Sequence, residues 1–458
     1  MEKKCRAGRG KDPVVDLSAT LALILKHLDQ SLCDQVFKDV RDKQRQRTWT
    51  LFLLARFWLQ VVIEAPRSLR QVLSETRPGD GTLLLPGIVA SQPGFSQRCA
   101  TLPSTFFAVL YSEFVARLRK DASPCYASDL RALRNRFTEV LVVDGSRLDK
   151  IAHRLKILWN EKAPVLPGCI LALYDLFYGV AKQIFFTPDA AASEHEQAVL
   201  AFQTLKPGSL VVGDRLYCTL ELFQLLDNLK CYGVFRRSKT LKLKRLRLLS
   251  RSTQPDGTTL EDWLVEVGTD ERKRTLRMIL AKKKNKTHSV LTNVLDPKLL
   301  SAAEANKLYR RRWSIERLFF DLKEVLNLNR LYAANPNGAA MQVFATAMVH
   351  AAFRVVQGRV ARQVKLEPER LSPAKLFPRI AVACMSMVEF EFVFLEVSKA
   401  NPGVRLRKPP PSAARNQRVL LSAILVEPRK PKRRRKKRSA EKGKWKSFKH
   451  IRGGQKLT

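Results

Sequence analysis

Residues 137–146 read FTEVLVVDGS, and residues 209–214 read SLVVGD. Each run is short and dense in apolar and β-branched residues, the composition of a strand buried on both faces. Each also reaches a carboxylate, Asp144 in the first and Asp214 in the second. Open α/β sheets gather their chemistry at the carboxyl ends of strands, so both aspartates are candidate site residues. The plainer reading of either one alone is a turn, because Asp-Gly after a strand is ordinary turn chemistry. What lies between and after them decides the matter.

Between them, CILALYDLFYG (169–179) and VAKQIFFTP (180–188) read as two strands joined near Tyr178-Gly179. SEHEQAVLAFQTL (193–205) reads as a helix with a Ser193/Glu196 capping box. Beyond Asp214 come a helix over about 219–230 and a strand, CYGVFRRS (231–238). A strand ending in an aspartate, a hairpin, a helix and a second such strand is the order of a ribonuclease-H-like core, an α/β fold with a mixed sheet. Residues 239–296 are strand-like and basic, with turn signals such as Pro255-Asp256-Gly257, and form a β-rich insertion in that core.

After the insertion, residues 308–326 read LYRRRWSIERLFFDLKEVL, with no Pro or Gly and many helix formers, which predicts a helix. At about 100° per residue, Leu308, Ile315, Leu318, Phe319, Leu322, Val325 and Leu326 share one packing face. Tyr309, Arg312, Glu316 and Lys323 fall within about 60° of each other as a polar stripe, flanked by Trp313 and Phe320. A carboxylate between two cations, with aromatics alongside, suits a metal ion and a phosphate backbone. By itself, Arg312–Glu316 is an i,i+4 pair of the kind that decorates many solvated helices.

The spacing of the four is more specific. Tyr309, two residues, Arg312, three residues, Glu316, six residues and Lys323 resemble the signature of transposases of insertion-sequence family number four, a branch of the DDE transposases. The resemblance implies Asp144, Asp214 and Glu316 as catalytic and metal-holding residues, with Mg²⁺ (two ions, Mn²⁺ as a substitute) as cofactor. It implies DNA contacts for Tyr309, Arg312 and Lys323. Gly213-Asp214-Arg215-Leu216-Tyr217 also resembles the family's second-aspartate motif, adding Arg215 and Tyr217 as DNA-binding candidates, although Leu216 stands where the family often has Gly. Family members set an insertion-domain tryptophan against a flipped base, and Trp263 is the candidate here. The implied activity is metal-dependent cleavage at insertion-sequence ends and strand transfer into target DNA, by a homodimer holding two ends, in the bacterial cytosol on the nucleoid. The competing classes are a two-metal nuclease of the same core and a catalytically silent DNA-binding relative.

The flanks match only in general character. Residues 1–130 read as helical, with a break at Pro103; the resemblance implies that they help bind DNA ends, and from sequence alone a packing or dimerisation module fits equally; 131–365 form the catalytic domain with the insertion at about 239–296. Residues 338–364 read as an apolar helix closing the core, and 366–407 as a further helical region for packing or dimerisation. Lys408-Pro409-Pro410-Pro411 reads as the end of the fold, and 408–458 as a linker and a basic tail disordered when free.

The formal charge of +41, from 83 Lys+Arg against 42 Asp+Glu, points to a polyanionic partner, with nucleic acid first. An anionic membrane comes second, and no apolar run reads as long enough to span one. The start of the chain lacks a secretory pattern. Eight cysteines, scattered singly with no CxxC, read as reduced buried thiols, and neither His153 nor His195 reads as part of a base cluster.

Overall fold

In the computed structural model, residues 13–74, 92–148, 168–190, 192–269, 273–284, 286–333, 335–400 and 411–427 are described. The first strand, β1 (Val14–Asp16), leads into helices α1 (Thr20–His27), α2 (Gln30–Val40), α3 (Leu51–Glu64), α4 (Leu69–Ser74), α5 (Gln92–Thr101) and α6 (Thr105–Asp121). Asp29 and Thr50 cap α2 and α3, accepting from the amides of Leu32 and Leu53. As the sequence predicts, Pro103 stands at a break, and α5 and α6 meet at 83°. The opening residues, His153 and the basic tail lie outside the described residues.

The core strands follow as β2 (Val140–Arg147), β3 (Cys169–Asp175) and β4 (Val180–Thr187). Then come α7 (Glu194–Phe202), β5 (Leu210–Gly213), α8 (Leu220–Asn228) and β6 (Tyr232–Arg236). The insertion supplies β7 (Leu243–Thr253), β8 (Thr259–Val267), β9 (Arg274–Lys283) and β10 (Lys286–Thr292). All nine form one sheet in the order β4-β3-β2-β5-β6-β10-β9-β8-β7. Strands β2, β5 and β6 run parallel, and the rest of the ladder is antiparallel. The insertion thus extends the core sheet, with β10 lying antiparallel against β6.

Alternation along the strands splits the core into two layers. Val140, Val142, Leu210, Val212 and Val234 face one side, where α3, α6 and α11 (Pro336–Gln363) pack. Leu141, Val143, Val211 and Phe235 face the other, against Ala198 and Phe202 of α7 and Leu222 and Phe223 of α8. Covering both faces is what allows a parallel centre. Helix α11 corrects one expectation, because it is long and apolar enough to cross a membrane by length and composition. Its apolar window is 94% buried inside the fold, so it is a core helix.

The predicted helix over 308–326 is not one helix. Helix α9 (Ala302–Arg310) ends, residues 311 and 312 turn, α10 (Trp313–Phe320) begins, and Asp321–Val325 close as a π-helical turn. Tertiary ion pairs accompany the break: Arg311 donates to Asp129 at 2.5 Å and to Glu369 at 3.1 Å. The packing face survives, with Leu308, Ile315, Leu318, Phe319, Leu322 and Leu326 all buried.

In the C-terminal region, the first of the two expected arrangements, packing within the chain, is the one seen. Helix α12 (Pro373–Ala400) packs on α11, α3 and α1 of its own chain, burying Leu376, Phe377, Ile380 and Cys384. The fold does not end at Pro411. Helix α13 (Pro411–Asn416) and β11 (Arg418–Leu420) return the chain so that β11 pairs with β1, and Ile424 is fully buried behind them. Apolar residues beyond the proline run outweigh its chain-breaking effect. The seven cysteines among the described residues are free, and all but Cys125 are buried.

Candidate active site

The parallel register sets the geometry. Val142 lies opposite Val212, so Asp144 and Asp214, each two residues further on, come to the same edge of the sheet. Asp144 accepts from the Gly145 amide at 3.1 Å, and Asp214 accepts from the Leu216 amide at 2.6 Å, an Asx turn that fixes its carboxylate. Arg312, in the break between α9 and α10, bridges toward the third acid. Its Nη1 donates to Asp144 Oδ2 at 3.1 Å and its Nη2 to Glu316 Oε1 at 2.6 Å. The same guanidinium lies 5.6 Å from the ring centroid of Trp313, which is 63% exposed. Tyr309 reaches Arg312 from the end of α9.

Burial pushes the Asp144 carboxyl up to about 7, opposed by Arg312 and reinforced by the charges of Glu194 and Asp214. The Arg312 guanidinium is held above its usual range, because its hydrogen bond to Glu316 and the charges of Asp144 and Glu316 outweigh its own burial.

Lys323 does not share a helical stripe with Glu316. The π turn brings it back onto the end of β2, where Nζ donates to Ser146 Oγ at 2.7 Å and to the Arg147 carbonyl. Such turns concentrate at functional sites. Lys323 is therefore buried and placed by the strand that carries Asp144.

One sequence candidate changes role. Tyr217 is fully buried and is no surface for DNA; its hydroxyl donates to Glu194. Trp263 lies partly buried on β8, with Nε1 donating to Glu261 at 3.2 Å and Arg245 4.9 Å from its ring centroid. It stands opposite Leu248 of β7 and Met278 of β9 and packs against the second core layer. Arg215 is exposed beside Asp214, as a DNA contact requires.

Glu194 is the residue that the sequence reading missed. It opens α7, and its Oε1 accepts from the Gly145 amide at 3.1 Å and from the Tyr217 hydroxyl. The capping signal at this helix drew attention to Glu196, yet only the Ser193 half of that box forms. The usable signals were a buried tyrosine needing an acceptor and a glycine directly after the aspartate.

The donor set suits a hard divalent cation, since Asp144, Asp214 and Glu316 offer only carboxylate oxygens. Among the described residues no three acidic, histidine or cysteine side chains are already grouped to hold one. Arg312 stands between Asp144 and Glu316, supplying the neutralising charge itself.

Residues 137–351 match the family model of the transposase DDE domain. The matched segment begins just before β2 and ends within α11. Three curated relatives agree. A transposase for insertion sequence element IS5377 from Geobacillus stearothermophilus is 22% identical over 171 residues, covering 37% of this chain and 45% of the relative. A transposase for insertion sequence element IS4SA from Synechocystis is 29% identical over 141 residues, 30% of this chain and 37% of the relative. Transposase y4zB of Sinorhizobium fredii is 28% identical over 157 residues, 33% of this chain and 43% of the relative. The chain thus spans less than half the length of each. A piggyBac transposase synaptic complex with hairpin DNA covers 88% of both chains at 11% identity and a TM-score of 0.36, too distant to carry an argument.

Proposed function

We propose that this protein is a DNA transposase that cleaves at insertion-sequence ends and joins them to target DNA by a cut-and-paste course. The observation that carries this reading is the β2–β5 register, which brings Asp144 and Asp214 to one sheet edge while Arg312 ties Glu316 to Asp144. The three carboxylates would hold Mg²⁺, with two ions expected and Mn²⁺ as a substitute. Bound there, such ions make a hydroxyl nucleophile available at neutral pH and offset charge on the reacting phosphate.

The chain's own residues divide the remaining work. Arg312 has the planar fork suited to a phosphate and can exchange a carboxylate partner for one. Tyr309 orients it. Lys323 presents a fixed cation beside Ser146, and Arg215 adds an exposed one next to Asp214. The exposed edge strand β7, with Lys244, Arg245 and Arg247, offers a path for duplex backbone. Placement in insertion-sequence family number four rests on the Tyr309, Arg312, Glu316, Lys323 spacing. Holding two ends at once calls for a homodimer on DNA, and the bacterial cytosol is the compartment this reading assigns.

A second reading draws on the Arg312 bridge. A DNA-binding relative without chemistry would keep it, because it neutralises the acids with no cation. The test is incubation with labelled duplexes from the DNA flanking the gene, plus Mg²⁺ and a target plasmid. Cleavage with joining is the expected result. Cleavage without joining would make it a nuclease, and binding without either would make it the silent relative.

A further inference from the structure

Glu194 occupies a place that the acidic triad does not account for. One carboxylate oxygen receives two donors from the two segments that carry the aspartates: the Gly145 amide, next to Asp144, and the Tyr217 hydroxyl, three residues past Asp214. Tyr217 is fully exposed to neither solvent nor ligand, being buried against Phe235 and the second core layer. Its hydroxyl is held in the protonated, donating form by burial first and then by the charge of Glu194. Gly145 leaves the space the carboxylate needs: a Cβ there would stand 2.5 Å from Glu194 Cδ. The carboxylate is anchored at the first turn of α7, where the helix favours negative charge.

We infer that Glu194 is a positioning residue that clamps the Asp144 and Asp214 segments at the separation a shared cation requires. The inference rests on the proposed metal-dependent reaction. Outer-shell partners that orient metal-holding carboxylates commonly govern affinity by about 10–100-fold. Both bonds to Glu194 need only an acceptor oxygen, so an amide oxygen serves in its place. The clamp therefore makes different demands from those on a ligand, for which the charge itself matters.

The test uses the full chain as wild type, Glu194→Ala, Glu194→Gln, Gly145→Ala and Tyr217→Phe. Mn²⁺ binding is followed by electron paramagnetic resonance, and the Mg²⁺ dependence of end cleavage is measured in parallel. Glu194→Ala is expected to weaken Mn²⁺ binding, and to raise the half-saturating Mg²⁺, by about tenfold or more. Glu194→Gln restores most of both. Gly145→Ala reproduces the Glu194→Ala defect without losing a core contact, since its Cβ meets only the end of a flexible side chain. If Glu194→Ala does not fold, Gly145→Ala and Tyr217→Phe carry the same readouts.

Wild-type metal binding in Glu194→Ala or Gly145→Ala would overturn the clamp, as would a Glu194→Gln variant as defective as Glu194→Ala. Failure of the wild type to cleave in Mg²⁺ would instead overturn the transposase reading, and the Mn²⁺ titration separates the two.

Discussion

Arg312 and Asp144 show how single residues set this site. Arg312 holds two carboxylates with one planar fork, and a lysine has neither the span nor the two parallel donors to do so. Arg312→Lys is expected to lower cleavage by about tenfold or more, a loss of at least about 1.4 kcal/mol of transition-state stabilisation, measured as initial rate at saturating Mg²⁺. Asp144 makes a prediction about pH. Its carboxyl is raised to about 7 in the fold, above the ordinary value of about 3.9 in the unfolded chain, so the native state binds the extra proton. That contribution is fully present below about pH 4 and is lost as pH rises through about 7. In chelator, urea unfolding of the wild type should lose up to about 3 kcal/mol more between pH 5 and pH 8 than Asp144→Asn does. Parallel losses in the two proteins would refute the assignment. At this scale the aspartates were legible because a polar residue ending an apolar run stands out. Glu194 was not, because its partners lie 49 and 23 residues away and no local period links them.

At the scale of elements, periodicity reports which face packs but not where a helix breaks. The apolar face of 308–326 was legible, and its residues are buried as expected except for Val325, which is half-buried. The break at 311–312 was not, because its ion partners Asp129 and Glu369 come from distant segments. Lys323 is carried to β2 by a π turn that a constant 100° step cannot represent. The insertion was legible as strands, yet its pairing with β6 was not, since strand order depends on long-range register. One buried pair fastens that insertion to the segment that leads into α9. Arg277, fully buried on β9, donates to both oxygens of Asp262 at 3.1 and 2.7 Å and to the carbonyls of Val294 and Leu300. Removing one partner of such a pair strands the other charge. Arg277→Ala should cost about 3–5 kcal/mol in denaturant unfolding; a change within error of zero would show that the pair is dispensable.

For the whole molecule, the two ends of the described chain are stitched together where β1 meets β11. Charge and apolar patterning read from sequence pointed to a break at the proline run, and three-dimensional closure overrode it. Deleting residues 428–458 removes 15 Lys/Arg and one Glu from the sequence and leaves β11 in place. That truncation should keep the unfolding midpoint, weaken non-specific DNA binding and flatten its dependence on salt. Deleting 411–458 also removes Val419 and Ile424 from the core, and should lower stability by a few kcal/mol, on the order of 2–5 for lost buried aliphatic side chains. Equal midpoints for the two truncations would mean that the closure contributes nothing.

The most direct measurement is cleavage of an end-labelled duplex, taken from the DNA flanking the gene, by wild type and Glu316→Ala in Mg²⁺, each beside a binding assay on the same duplex. Cleavage by the wild type alone, with binding kept in both, is the expected result. Equal cleavage by the two proteins would contradict it and reduce Arg312–Glu316 to a surface ion pair.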